Sequence, residues 1–380
     1  MHTTTYIIDM FKKEKTEHTV LPGLPKTSDR SFSSHIHLVF VFVFFLLSSC
    51  APYKSYLLEK SKFHPTRDIA YWSLSWKEKS LVNRVSAAPA GLLEKIRIEN
   101  KMDGFSEIPL PAEPAAEFFE AIHKINHILP EKVRMLLEER IIGIFIVRDL
   151  GGSGYAETVL NEEGREYYAV IVLDGDILLK RTANEWATWK EKSVFKHSDG
   201  GKVNLRVAIE SPANDTVVNA ITYILLHEIG HALGMVSGVH PSWSNPARVS
   251  DAYPFTKLSW IMSGNQAISL FDDKIPQRRS IKPYAFDHSL LSLDEAPDLY
   301  KNLYSYSNFP SIHAAVNLWE DFAESFVTYV HFIYEKKPHI TYLTTDGNPD
   351  MIYYSCWNRK ICESKMKFLN SWFDNPLTSQ

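Results

Sequence analysis

The segment His227-Glu228-Ile229-Gly230-His231 constrains this chain more than any other. Residues four apart on an α-helix share a face, so a helix here sets two imidazoles together with a carboxylate beside them. Two imidazoles so placed can grip one divalent ion such as Zn²⁺, and the adjacent carboxylate can take a proton from a water on that ion. The preceding run Val217 to Leu226 supplies the helix, with Ala220, Ile221, Ile224 and Leu225 at helical spacing, and makes it a buried one. The bland alternative is a pair of core histidines beside a salt-bridged glutamate.

A second segment argues for the metal. In Trp319-Glu320-Asp321-Phe322-Ala323-Glu324-Ser325-Phe326, the residues Phe322, Phe326 and Val330 mark the apolar face of another helix. Glu320 and Glu324 lie four apart on one side of it, and like charges at that spacing destabilise a helix unless a cation stands near. An ion supplies that cation. Glu320 is then the expected third ligand, and Glu324 the acid that hydrogen-bonds a ligand histidine and fixes its tautomer.

The two motifs together resemble the gluzincin metallopeptidases, in which two histidines of one helix and a glutamate of a later helix hold zinc. The run from Glu320 to Phe326 is similar to the third-ligand helix of the anthrax lethal factor catalytic-domain group. The resemblance implies zinc ligands His227, His231 and Glu320, a general base at Glu228, a supporting acid at Glu324 and one Zn²⁺ per chain. It also implies a zincin-like α+β fold, with a small mixed sheet on the active-site helix and a second helix carrying the glutamate ligand. Where that group has an oxyanion-stabilising tyrosine, seven residues before the ligand glutamate, this chain has His313; Tyr306, Tyr304 and Tyr329 compete for the role. A rival pattern is that of the metzincins, suggested by Ala232-Leu233-Gly234-Met235 and a possible Met-turn at Ser259-Trp260-Ile261-Met262. Its third histidine would fall at Ser237, a poor ligand, with His240 three residues farther on.

The N-terminus bears on location. Leu38 to Leu47 is an unbroken apolar run ending in Ser48-Ser49-Cys50. Ten residues make only about 15 Å of helix, half of what a bilayer requires, but they suit the core of a signal peptide. Leu47-Ser48-Ser49-Cys50 resembles a bacterial lipobox, which implies cleavage before Cys50, lipid on its thiol and a place in the cell envelope at the outer membrane or cell surface. The 37 residues ahead of the core are unusual for such a signal. The remaining cysteines, Cys356 and Cys362, form an even pair suited to a disulfide in an oxidising compartment.

With 45% apolar residues and a formal net charge of −4, the chain can build a large core and lacks the basic character that nucleic-acid binding needs. The expected organisation is a signal segment over 1–49, a tether and N-terminal extension over 50–108, a catalytic domain over 109–340 and a C-terminal extension over 341–380. Helical spacing marks Ala115 to Ile128 and Glu131 to Leu137; Ile141 to Val147, Tyr167 to Leu173 and Val203 to Ile209 read as strands. The last alternates cleanly and lies shortly before the His227 helix, so it is the expected edge strand for an extended substrate. Asp149 to Gly154 is glycine-rich but lacks the Lys-Ser/Thr ending of a phosphate loop, and reads as a turn or active-site rim. Residues 237–310 should wrap the cleft, with Asp272-Asp273 and Arg278-Arg279 as solvated charges. The sequence points to a monomeric zinc endopeptidase acting on a protein or peptide. The competing class is a surface lipoprotein that keeps the scaffold without activity and works by binding.

Overall fold

The computed structural model describes residues 53–196, 201–242, 253–263 and 266–376. Among them no helix is long and apolar enough to cross a membrane. The central element is a mixed sheet in the order β1 (Val85–Ala87), β2 (Ile141–Arg148), β4 (Glu166–Asp174), β3 (Gly154–Leu160), with Leu110–Pro111 paired to the end of β2. β1, β2 and β4 run parallel, and β3 runs antiparallel to β4 along the edge. Their near-continuous apolar sequence follows from burial of both faces. Ile144, Ile146, Ile171 and Leu173 enter one core and Phe145, Val147, Val170 and Val172 the other, as period-two alternation requires.

The two cores have different covers. The larger packs the sheet against α2 (Ala116–Ile128), α3 (Glu131–Arg140), α4 (Ala183–Lys192) and α5 (Val217–Val236), with α6 (Ala296–Tyr306), α7 (Leu318–Tyr329) and α8 (Glu363–Asp374) beyond. The smaller is closed by Ile69, Trp72 and Trp76 and by α1 (Ala90–Asp103), through Leu92, Leu93 and Ile96. The segment expected as a tether over 50–108 therefore contributes a strand and one covering layer. Its Pro-interrupted sequence gives a chain of 3₁₀ turns in place of regular periodicity, which is why it reads as loose.

A second sheet, in the order β7 (Asn348–Tyr354), β6 (Ile340–Thr345), β5 (Val203–Ala208), is antiparallel throughout. The boundary expected at residue 340 thus falls at the start of a strand bonded into the fold. β5 is not an open edge. On the side away from β6, Val207 N–H donates to Thr188 Oγ1 (2.9 Å) and Ile209 N–H to Asn184 Oδ1 (2.7 Å), both on α4. The free edge belongs to β3, where among the described residues only Leu160 bridges a further segment, at Asp68. The charges expected to be solvated at 272–279 also divide: Arg278 is buried, paired with buried Asp272, and donates to Ala315 O at 2.9 Å, whereas Arg279 stays exposed. This clamp ties the long loop to the chain just ahead of α7.

Behind β3 lies a buried charge network. Lys95 on α1 contacts Glu99 and Glu157, Tyr155 donates to both carboxylates (2.5 and 2.8 Å), and Arg67 reaches Glu157 and Glu166. Burial pushes the Glu157 carboxyl up, but Lys95 and Arg67 more than offset this and hold it near 2, against an ordinary 4.5. A depressed folded-state pKa means that its stabilisation is complete above pH 4.5 and is lost as pH falls through about 2. Lys95→Met, which strips buried Glu99 of its cation and leaves Glu157 with Arg67 alone, is expected to lower unfolding stability by about 3–5 kcal/mol in urea titration and to move the acid loss to higher pH.

Candidate metal centre

The His227 helix and the Glu320 helix meet because a side chain is missing. A Cβ on Gly230 would stand 2.9 Å from Ala323 Cα and 3.1 Å from its carbonyl oxygen, so α5 and α7 touch backbone to backbone there. Thr216 caps α5, its hydroxyl accepting Asn219 N–H at 3.2 Å, and α5 is buried from Asn219 to Val236. Asn317 caps α7 through Oδ1, accepting the N–H groups of Trp319 and Glu320, each at 2.9 Å, and every residue of α7 is buried. One cap and one glycine therefore set the height and distance of Glu320 over the two histidines.

The three donors converge. His227 Nε2 and His231 Nε2 are 3.1 Å apart, and the Glu320 carboxylate lies 3.7 Å from the first and 3.5 Å from the second. Tetrahedral ligation at about 2.0–2.1 Å places neighbouring donors about 3.3 Å apart, which these distances bracket. Glu320 Oε2 is buried and has no hydrogen-bond partner among the described residues. Two imidazoles and a carboxylate are also a donor set that zinc favours, so the residues fit a single Zn²⁺. Burial alone would raise Glu320 and lower His231, but each outweighs that effect on the other: the carboxyl sits below its ordinary pKa and the imidazole above.

Glu324 stands one turn along α7, where its Oε1 is 2.8 Å from His227 Nδ1, although the ring N–H points off that line. Lys190 of α4 contacts the same oxygen, and Ser311 Oγ donates to Oε2 at 2.6 Å. Burial pushes Glu324 up, yet Lys190 and His227 hold it well below the usual carboxylate range.

Glu228 projects beside the ligands, 1% exposed, with neither oxygen hydrogen-bonded among the described residues. Facing it is Gly154, the first residue of β3, where a Cβ would fall 2.5 Å from Glu228 Oε1. The glycine-rich run thus ends at the base, where Gly154 opens the edge strand β3.

The remaining residues named from sequence fare differently. His313 is wholly buried among Lys190, Glu324 and Glu191, with Nε2 3.8 Å from Glu191 Oε2, and burial takes its pKa to about 3. Tyr306 is half-exposed at the end of α6, Tyr304 stacks on Arg359, and Tyr329 packs on Trp357 and Phe373 with its hydroxyl on Asn370. None of the three tyrosines has a contact with the ligand set. The hydroxyl near the centre is that of Tyr284, which sequence reasoning missed. It lies within electrostatic reach of Lys190, Glu228 and Glu320 and 3.3 Å from Ser153 Oγ, and burial raises its pKa to about 12. Its φ of +55° marked it only once the backbone was known.

The rival third histidine is excluded by the local structure. Ser237 ends α5, its N–H and Oγ both bonding Leu233 O (2.9 and 2.6 Å), while His240 packs on Phe322 outside the converging donors. Ser259 to Met262 gives no Met-turn: Trp260 starts a hairpin strand and donates to Asp321 Oδ2 at 3.0 Å. Cys356 and Cys362 are joined by a disulfide. Cys50 lies outside the described residues.

Gly154→Ala is expected to displace Glu228 and lower peptide turnover at least tenfold while the bound zinc, read by metal analysis, stays at one per chain. Comparison with family models, curated proteins and solved structures finds no match. What marks the chain as a zinc metallopeptidase is the site itself: His227, His231 and Glu320 around one ion position with Glu228 beside them, a cluster typical of zincin-type metalloproteases.

Proposed function

We propose that this chain is a zinc-dependent endopeptidase of the gluzincin kind, related in its third-ligand helix to the lethal-factor group. The observation that carries this reading is the convergence of His227, His231 and Glu320 with an unpartnered Glu228 carboxylate at its side. Bound zinc supplies a Lewis acid that acidifies a water and polarises a carbonyl. Glu228 takes the proton of the attacking water and then returns it to the departing amine nitrogen as the C–N bond breaks. An extended peptide adds to the free edge of β3 through backbone hydrogen bonds, which carries its carbonyls past Gly154 and hence past Glu228.

Tyr284 is the donor this reading assigns to the carbonyl oxygen as negative charge develops on it. The indole N–H of Trp186 donates to Ser153 Oγ at 3.0 Å, and an indole can only donate. The Ser153 hydrogen is thereby free to point at the Tyr284 oxygen, leaving the phenol hydrogen for a third group. With its pKa near 12, the phenol keeps that hydrogen throughout the neutral range.

The location is part of the same proposal. The apolar run ending at Cys50 supports export and lipid attachment in a bacterial envelope, and a buried disulfide suits an oxidising compartment. A monomer, anchored by its lipid and acting on envelope or external proteins, is the simplest form. Incorporation of a labelled fatty acid that Cys50→Ala abolishes is the expected result.

Activity is tested on a peptide library. Glu228→Gln should lower kcat by 10²–10⁴ with zinc retained, and Tyr284→Phe by about 10²–10³ with KM little changed. A wild-type protein with one zinc and no cleavage of any peptide would instead indicate a scaffold that works by binding.

A further inference from the structure

Where the described residues begin, a row of aromatic side chains stands open to water. Residues 53–62 form a helix held to α1 by its buried side, Ser61 donating to Glu99 at 2.7 Å. Tyr53, Tyr56, Lys60 and Phe63 recur every three to four residues and so share another side of it. The three rings are 55%, 50% and 71% exposed. Tyr71 joins them from a following 3₁₀ turn, and with Tyr56, Lys60 and Phe63 it lines a cleft of about 640 Å³ against Gly91 of α1. A Cβ on Gly91 would fall 2.5 Å from the Tyr71 hydroxyl oxygen. A contiguous exposed apolar face of this kind marks an interaction surface. We propose that it rests on a lipid bilayer, with its rings among the headgroups, and that the sheet then stands between the bilayer and the metal centre.

The first argument is what precedes the face in the chain. The apolar run Leu38 to Leu47 and Cys50 come just before it, with only Ala51 and Pro52 between the thiol and Tyr53. Three residue steps reach at most about 11 Å, so a chain anchored at Cys50 carries Tyr53 to the bilayer surface. In this the inference rests on the location reading above, and it adds the surface that meets the lipid. The second argument is charge. From Tyr53 to Phe63 the chain holds Lys54, Lys60 and Lys62 against Glu59 alone, and with Glu94 of α1 counted the lysines still outnumber the carboxylates. Lys60 stands 5.0 Å over the Tyr56 ring and Lys62 5.5 Å over that of Phe63, so ammonium groups and rings lie side by side. Rings at headgroup level with cations beside them suit the interface of a membrane with anionic lipids. A ten-residue helix is about 15 Å long, which lets it lie in that interface but not cross. The orientation follows from the layers. α1 covers the smaller core on one face of the main sheet, and α5 and α7 pack on the other. A bilayer under the first layer leaves the metal centre to polypeptides in the aqueous phase.

The test reads immersion in lipid directly. The full chain, carrying one nitroxide through Tyr56→Cys or Phe63→Cys, is reconstituted on vesicles of phosphatidylethanolamine and phosphatidylglycerol. Met135→Cys is the control, since Met135 lies on α3 over the larger core and is 64% exposed. The ratio of collisions with oxygen, which concentrates in lipid, to those with a water-soluble nickel chelate should be about tenfold higher at 56 and 63 than at 135. Labels at 56 and 63 as open to the chelate as the control overturn the inference. So does shielding of both before vesicles are added, which assigns the face to a second copy or to another part of the chain. Mass spectrometry of the same protein separates this inference from the anchor. Lipid on Cys50 with water-exposed labels overturns the face and spares the anchor. A Cys50 found bare, then replaced by Ser so that it takes no label, with 56 and 63 still immersed, does the reverse.

Discussion

The approach of α5 and α7 at Gly230 and Ala323 is the contact on which the rest of this structure depends. Three ligand atoms within 4.8 Å of one another need two helices packed closely together, and a glycine at the crossing allows it. Everything else in the larger core serves to press the helices together. Asn317 stops α7 at the right height, Arg278 and Asp272 pin the loop that delivers it, and Lys365 and Trp260 hold Asp321, the neighbour of the ligand.

The second requirement is that several acids stay ionised out of water. Glu320 and Glu324 are both wholly buried, and each would by burial alone favour its neutral form. The structure answers with paired imidazoles, one lysine and a place for a divalent ion. A second such pairing lies behind β3, where Lys95 and Arg67 hold the Glu157 carboxyl below its ordinary pKa. Charged groups thus lie both on the metal side of the edge strand, at Glu228, and behind it.

What the sequence disclosed follows from range. His227, Glu228 and His231, and likewise Glu320 and Glu324, declare themselves because one helical turn fixes their geometry, and the apolar positions around them reveal the helix. The α+β class and the strands at Ile141–Arg148 and Glu166–Asp174 were legible for the same reason, with alternation and length visible within a few residues. The places of Lys190 and Gly154 beside Glu324 and Glu228 were not, since each arrives there only through contacts made across the fold. Val203 to Ile209 read as the edge strand for substrate because alternation shows which strand has one apolar face, not that Thr188 and Asn184 bond its outer side. Charges at 272 and 278 looked solvated because nothing local indicates that the turn between them folds inward over Ala315.

The ion pair under the metal helix carries a temporal consequence. Asp321 sits beside ligand Glu320, and its buried partner Lys365 lies 44 residues farther along the chain. Until α8 has emerged and docked, α7 holds an acid with no counter-charge and an open flank where Trp372 and Phe373 belong. Ribosomal synthesis runs from the N-terminus, so the two histidines exist long before the helix that completes their site can settle. The metal centre is therefore completed only once α8 has docked, late in the making of the chain.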